Sequence, residues 1–285
     1  MTTLTDAKAM AKAMSLIDTH CHLDFTDFDM DRNEVIDSCS NVGVNTIVVP
    51  ATQQSTWQRT LDLPFSAKTS DSVQQVALYV ALGLHPVFND AHQPQHLLEL
   101  EQLVIEHSPI AVGEIGLDFH TSMNLSSAQK DKQLAYFEKQ FVIANTHQLP
   151  VIIHNRKAHD ECIKIIKSFY DNGYRKGGII HAFNGSIQQA EHYIALGFSL
   201  GFGGMLTYPR SSKLQALVKA IPIDNIVLET DAPDMTVMAQ RGQRNSPAYL
   251  PDVARAVALY KSLDVAEIAK HTTRNAQTVF GLSSP

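Results

Sequence analysis

Short apolar segments alternate with amphipathic segments along almost the whole chain, and this alternation constrains the fold more than any other feature. Eight segments have the length and β-branched composition of strands, and a helical pattern follows each of them. Because these strands are apolar throughout, they are typical of a parallel sheet covered on both faces. The predicted strands are Leu16–His22, Asn45–Ala51, Leu78–His85, Ile110–Asp118, Val151–His154, Gly178–His181, Phe198–Gly203 and Ile226–Asp231.

The segments between the strands predict helices with recognisable ends. Gly43 follows the first helix, where a glycine commonly terminates a helix, and Ser126 or Ser127 caps the start of the long fourth helix. Two helices follow the last strand and close the chain. The predicted helices are Arg32–Asn41, Ser55–Leu63, His96–His107, Leu125–Thr146, Ala158–Tyr170, Ser186–Leu196, Ser212–Ile221, Val253–Leu263 and Val265–Phe280.

This pattern of strands and helices predicts an α/β fold, the closed (β/α)8 TIM barrel. The chain has 285 residues, which suits a barrel of about 250 residues with insertions. An open doubly wound sheet is the alternative, and eight successive units favour the barrel over it. No low-complexity linker divides the sequence. We therefore predict one domain over residues 15–285, preceded by an N-terminal extension of residues 1–14 that is helical or frayed.

Side chains that commonly bind metal ions stand at the ends of five of the predicted strands. In a barrel the carboxyl ends of all strands surround one cavity, so these side chains can meet there. Each of them alone could be an ordinary core or capping residue. Burying these side chains together costs free energy unless a positive charge lies nearby. A divalent metal ion supplies such a charge. The residues are His20, His22, Glu114, His154, His181 and Asp231.

Four imidazoles and two carboxylates exceed what one tetrahedral ion needs, and they fit two divalent ions per subunit. Glu114 is the natural bridge between the ions because it comes from the middle of the strand order. Mixed nitrogen and oxygen ligands suit Zn²⁺, Mn²⁺, Fe²⁺ or Mg²⁺, so the metal stays open. We predict one ion held by His20, His22, Glu114 and Asp231, and the other held by Glu114, His154 and His181.

The remaining histidines divide into two classes. His85 ends the third strand directly before Pro86 and is predicted to contact substrate at the rim of the barrel. The others fall in helices or outer loops, and most are predicted to be solvated surface groups. They are His92, His96, His107, His120, His147, His159, His192 and His271.

Net charge restricts how this chain could hold an anionic substrate. At −6 the chain has no general basic field for nucleic acid, so local groups or bound metal must bind phosphate. The candidate phosphate contacts are His85, Asn184 and Arg156, with Arg210 and Arg244 as more distant candidates. Binding should then favour strand ends or short single strands over long duplex.

Cysteine usage and the first residues favour a cytoplasmic protein. The three cysteines have no CxxC spacing, which fits a reducing compartment better than a disulfide framework. Residues 1–14 lack the apolar centre of a secretory signal, and no apolar run reaches the length of a membrane span. We predict a soluble monomer without a membrane partner.

Six motifs that occur in order between about Leu16 and Leu282 resemble those of the TatD family of metal-dependent deoxyribonucleases. The resemblance implies a barrel of the amidohydrolase-superfamily type, two divalent metal ions and hydrolysis of DNA phosphodiester bonds. It also implies metal ligands at the six residues named above and a phosphate contact at His85. Segments 207–210 and 231–235 resemble the YjjV-type branch. The six motifs are Asp18–Asp24, Gly83–Pro86, Gly113–Asp118, Pro150–His154, His181–Gly185 and Leu228–Pro233.

These observations predict a metal-dependent hydrolase acting on ester bonds, with DNA cleaved from 3′ ends. Asp231 is the predicted general base, and Glu114 is the second predicted catalytic residue. The same ligands could instead direct attack at carbon, as in a deacylase or amidohydrolase acting, for example, on aminoacyl-tRNA. A non-enzymatic metal-binding scaffold is a third hypothesis, which the complete ligand set disfavours.

Overall fold

The structure is a computed structural model that describes residues 15–66 and 76–283, apart from the side chains of Phe65 and Ser66. The predicted extension at residues 1–14 lies outside the described residues. It remains a prediction.

Eight strands occur in the described residues, and they pair in chain order in one sheet. Every pair whose register is known is parallel, as short strands joined by helices require. The strands are β1 Leu16–Asp18, β2 Val44–Pro50, β3 Ala77–Leu82, β4 Ala111–Asp118, β5 Val151–Arg156, β6 Gly178–Ile180, β7 Phe198–Phe202 and β8 Ile226–Leu228.

The strand order is that of a (β/α)8 barrel. Neighbours in sequence are neighbours in the sheet throughout, whereas an open doubly wound sheet reverses at a switch point. The first and last strands are also joined, because the Thr19 amide donates to the Leu228 carbonyl at 3.0 Å. The Asp231 amide donates to the His20 carbonyl at 2.9 Å. The predicted barrel is confirmed, and the open sheet is excluded.

Helices follow the strands as the hydrophobic pattern predicted. Ser126 caps the start of α4 by accepting a hydrogen bond from the Gln129 amide, and the Gln129 side chain accepts one from the Ser126 amide in return. The described residues contain α1 Arg32–Asn41, α2 Trp57–Ser66, α3 Pro94–His107, α4 Ser127–Thr146, α5 His159–Asp171, α6 Ile187–Ala195, α7 Ser212–Ala220, α8 Leu250–Lys261 and α9 Val265–Phe280.

The chain forms two compact units, and each has its own packed interior. In the first unit, α9 packs against β1 and β8. In the second, the ring of Phe141 stacks on Phe169 and meets Tyr174 edge-on, with centroid distances of 4.5 Å and 4.9 Å. The prediction of a single domain remains a prediction. Of the described residues, the first unit comprises 15–49, 62–66, 76–79 and 201–283, and the second comprises 50–61 and 80–200.

Two sequence-based expectations about the cellular setting can be compared with the structure. All three cysteines are free and buried, in agreement with the absence of a disulfide framework. Within residues 15–66 and 76–283, no helix has both the length and the apolar character needed to cross a membrane. The cytoplasmic location remains a prediction.

Gly116 permits an unusually close approach of β4 to β5. Its φ is +136°, and a Cβ atom there would overlap the carbonyl oxygen of His154. Gly116→Ala should therefore lower the free energy of unfolding by at least about 2–3 kcal/mol, because backbone strain and overpacking add. Denaturant unfolding measures this. Gly173→Ala is the matched control, since Gly173 has a φ of +102° with nothing within 4 Å. Equal losses in the two variants would contradict this explanation.

Candidate metal centre

The first unit brings together His20, His22 and Asp231, which we name the first ligand group. The Nε2 atoms of His20 and His22 lie 3.2 Å apart. Asp231 Oδ1 lies 3.7 Å from the His20 Nε2 atom and 3.5 Å from the His22 Nε2 atom. Both histidines are buried, while the Asp231 side chain keeps 16% of its surface exposed. The group therefore has an enclosed nitrogen side and an oxygen ligand that solvent can reach.

A buried carboxylate next to the first ligand group accepts hydrogen bonds from the backbone there. Asp18 is fully buried at the end of β1, and its Oδ1 accepts the His20 amide at 3.2 Å and the Thr230 amide at 3.0 Å. The Thr230 hydroxyl donates to the other carboxylate oxygen. Burial raises the pKa of Asp18 to about 8, although the hydrogen bonds from Thr230 and His20 act in the opposite direction. Asp18 thus holds the backbone of His20 and of Thr230, the residue before Asp231.

The second unit brings together His85, Glu114 and His154, which we name the second ligand group. One carboxylate oxygen, Glu114 Oε1, lies 3.2 Å from His85 Nε2 and 3.2 Å from His154 Nδ1. Glu114 is buried near the middle of β4, a strand buried along its whole length. His181 follows β6, and its ring stacks near that of His154 with centroids 6.5 Å apart.

Burial, hydrogen bonds and neighbouring charges shift the pKa values of His154 and of the adjacent Asp118. Burial lowers the pKa of His154, but hydrogen bonds to Asp118 and Glu114 outweigh burial, and the net effect raises it. Burial raises the pKa of Asp118, yet hydrogen bonds from His154 and His120 and the charge of Arg156 bring it below its usual value. His154 therefore lies between two carboxylates, and a metal-binding histidine commonly has one such acceptor at the nitrogen that does not bind the metal.

Both groups have the spacing of atoms that share a metal ion. Two ligands about 2.1 Å from a tetrahedral zinc ion lie roughly 3.4 Å from each other. The nitrogen–nitrogen and nitrogen–oxygen separations of the first group are 3.2–3.7 Å, and those between Glu114 and its two histidines are 3.2 Å. The donor atoms are imidazole nitrogens and carboxylate oxygens, which suit Zn²⁺, Mn²⁺ or Fe²⁺. The residues present therefore fit divalent metal.

A comparison with protein-family models assigns this arrangement to a known family. The model described as "TatD related DNase" matches residues 17–281, which include both ligand groups and all of the eight strands except Leu16. The chain belongs to the TatD family. The resemblance inferred from the six motifs is confirmed, and so is the prediction of a hydrolase of this type.

Individual relatives support the same assignment. An uncharacterised metal-dependent hydrolase, YjjV of Escherichia coli strain K12, is 36% identical over 269 residues, covering 93% of this chain and 98% of that one. The 3′-5′ ssDNA/RNA exonuclease TatD of Erwinia amylovora is 31% identical and covers 94% of this chain and 100% of its own length. The crystal structure of the E. coli YjjV protein aligns with a TM-score of 0.85, covering 96% and 100% of the two chains at 34% identity.

The three predicted substrate contacts of this TatD-family chain have different surroundings in the structure. His85 lies against Glu114 and shares an oxygen with His154, so it belongs to the second ligand group as well as to the rim. Arg156 is 44% exposed, 3.7 Å from Asp118. Asn184 is exposed, and its amide donates to the Ala182 carbonyl at 3.4 Å. The contacts of His85, Arg156 and Asn184 with substrate remain predictions.

Arg244, one of the more distant candidates for binding phosphate, forms an ion pair in the structure. Its guanidinium binds both carboxylate oxygens of Asp31, at 2.9 Å and 2.6 Å, and lies over the ring of Phe28. This pairing joins the loop after β8 to the segment before α1. Arg244 therefore has a structural partner, and its contact with phosphate remains a prediction.

Sequence reasoning missed two buried carboxylates beside the ligand groups of this TatD-family chain, namely Asp18 and Asp118. A signal existed for Asp118. Residues two and four apart on a strand face the same side, so Asp118 shares the side of Glu114. The general expectation that the other histidines are solvated was wrong for His92 and His159, which are 2% and 9% exposed.

Proposed function

We propose that this TatD-family hydrolase cleaves phosphodiester bonds of single-stranded DNA from the 3′ end. The observation that carries the proposal is the pair of ligand groups with metal-ligand spacing in a chain of this family. A relative 31% identical over nearly the whole chain bears the name 3′-5′ ssDNA/RNA exonuclease. Net charge of −6 favours short single strands over long duplex, because duplex binding needs many cations.

We further propose that the two ligand groups, together with His181 and without His85, provide one centre of two divalent ions. His20, His22, Glu114 and Asp231 would hold one ion, and Glu114, His154 and His181 the other. The barrel fold supports this, because carboxyl ends of barrel strands share one rim. Bound there, the ions would lower the pKa of a water molecule and neutralise charge on the phosphate.

The chain's own side chains would perform the remaining tasks. Asp231 is partly exposed and can accept a proton from the attacking water as general base. Glu114, buried between two imidazoles, keeps its carboxylate in one orientation. Arg156 offers a guanidinium for a phosphate oxygen, since much of its surface is free of protein contact. His85 and Asn184 are the further proposed phosphate contacts.

Single-stranded DNA labelled at the 5′ end tests the substrate and the direction together. Metal-loaded protein should shorten the labelled strand stepwise from its 3′ end, giving a ladder on a denaturing gel. A strand with a blocked 3′ end and a circular strand are the matched controls, and both should resist. Rapid cutting of the circle would replace the exonuclease mode by an endonuclease mode.

An aminoacyl ester assayed beside the DNA distinguishes the deacylase alternative. The two substrates differ in the atom attacked, phosphorus or carbon, while the ligand set is the same. Release of amino acid from the ester without cleavage of any DNA would contradict the proposed function. The predicted monomeric state is tested in the same preparation by light scattering.

A further inference from the structure

Asp118 is a buried acid beside the second ligand group, with no role assigned so far. It ends β4 and is 1% exposed. Its Oδ2 lies 3.3 Å from His154 Nε2 and 3.7 Å from Arg156 Nη1. Its Oδ1 accepts the His120 amide at 3.0 Å. One carboxylate therefore contacts a proposed metal ligand, a proposed phosphate contact and the loop after β4.

The backbone of Asp118 is itself held in place. Its amide donates to the Gln133 side chain at 2.9 Å, and the Gln133 side-chain nitrogen donates to the Pro86 carbonyl at 3.2 Å. Gln133 is buried on α4. A carboxylate anchored through its main chain and by the His120 amide has little freedom to rotate. It can therefore set the position of whatever binds to it.

His154 contacts the two acids through its two different nitrogens. Nε2 lies beside Asp118, and Nδ1 lies beside Glu114. With a metal ion at Nδ1, the hydrogen of a neutral His154 ring would be on Nε2 and would donate to Asp118, because a carboxylate only accepts hydrogen bonds. The lone pair of a neutral ring is then on Nδ1, which points to the oxygen that His85 also contacts. A hydrogen-bonded partner of this kind fixes the ring and increases the basicity of a metal-ligating imidazole.

We propose that Asp118 is a positioning residue, which orients the His154 ring for metal through Nδ1 and holds Arg156 beside the site. The proposal rests on the proposed function insofar as it assumes that His154 binds metal. It differs from a purely structural role, because it requires the metal affinity of the folded protein to depend on Asp118. It also differs from a role in holding Arg156 alone, which would affect substrate and leave metal unchanged.

Asp118→Asn tests the proposal because it removes the charge and keeps the shape. Its affinity for Zn²⁺, measured by competition with a chromophoric chelator, should fall about 10–100-fold for one ion. The visible absorption bands of the Co²⁺-loaded protein, which report ligand geometry, should also change. Arg156→Met removes the other partner and should leave both readouts at the wild-type value. Asp31→Asn, which breaks the Arg244 pair in the first unit, is the matched control and should do the same.

A second variant keeps the test decisive if Asp118→Asn does not fold. Asp118→Glu retains the charge on a longer side chain that displaces the carboxylate, so its Zn²⁺ affinity should be lower than that of the wild type. Wild-type affinity and an unchanged Co²⁺ spectrum in the folded Asp118 variants would overturn the proposal.

Failure of the proposed function gives a different result. Wild-type protein that binds metal but cleaves no DNA would contradict the nuclease function, while the affinity of Asp118→Asn would still decide the role of Asp118. Wild-type protein that binds no divalent ion would overturn both.

Discussion

Replacing Glu114 by alanine is expected to abolish hydrolysis and to remove bound metal. Glu114 Oε1 lies at the same distance, 3.2 Å, from nitrogens of His85 and His154, and we assign this carboxylate to both ions. The variant should therefore retain at most one ion of two. Loss of a single stabilising group in an active site commonly reduces the rate by about 10²–10³-fold. Because Glu114 is proposed to bind both ions, we expect a loss of at least about 10³-fold.

Metal content by elemental analysis and nuclease rate on single-stranded DNA measure the two effects. Glu106→Ala is the matched control, because the Glu106 side chain is 50% exposed on α3, and surface substitutions of this kind usually change stability by less than about 0.5 kcal/mol. Thermal unfolding of the metal-free proteins shows whether Glu114→Ala folds. If metal and activity both survive in this variant, the bridging assignment is wrong.

Removing metal from the wild-type protein with a chelator should eliminate activity and lower the melting temperature. A ligand present at about 100 times its dissociation constant stabilises the folded state by about 2.7 kcal/mol. For a chain of 285 residues that corresponds to a shift of roughly 4–5 °C. Adding back Zn²⁺, Mn²⁺ or Mg²⁺ in turn should restore both properties, and the ion that acts at the lowest concentration is the candidate native metal.

Calorimetry measures the melting temperature, and the nuclease assay measures hydrolysis. Chelator that is already saturated with Zn²⁺ is the control for effects of the chelator itself. Hydrolysis that continues at the wild-type rate after complete removal of metal would contradict the proposed chemistry. A shift in melting temperature without loss of hydrolysis would assign the ions a structural role instead.

The fold could be predicted closely from the sequence because its signals are local. The bounds of α1, Arg32–Asn41, and α9, Val265–Phe280, coincide with the predicted helices. At the start of α9, the side chains of Asp264 and Glu267 cap each other's backbone amides. Eight strands in alternation with helices permit few topologies, and the barrel was the one favoured.

The ends of the strands were less predictable than their number. Strand β1 was predicted to run to His22 and β8 to Asp231, but they end at Asp18 and Leu228. Beyond those points His20 and Asp231 are still joined by a backbone hydrogen bond. An apolar pattern shows which residues are buried, but it does not show where the hydrogen-bond ladder of a strand stops.

Buried polar groups were predicted least well, because their partners come from distant parts of the chain. His92 lies in a loop, and its Nε2 hydrogen donates to the His85 carbonyl at 2.8 Å. His159 bonds to the Tyr193 hydroxyl at 3.2 Å, 34 residues away. A polar side chain is buried when such a partner is available, and no local pattern reveals that partner.

The sequence by itself determined the barrel, the TatD family and the identity of the six proposed ligands. These depend on periodicity and on motifs, which are properties of short segments. Only the tertiary structure decided that His85 shares an oxygen of Glu114 with His154, and that Asp118 lies on the other side of the His154 ring. Such pairings depend on the register of neighbouring strands and on the rotation of each side chain, which are set when separate segments pack together.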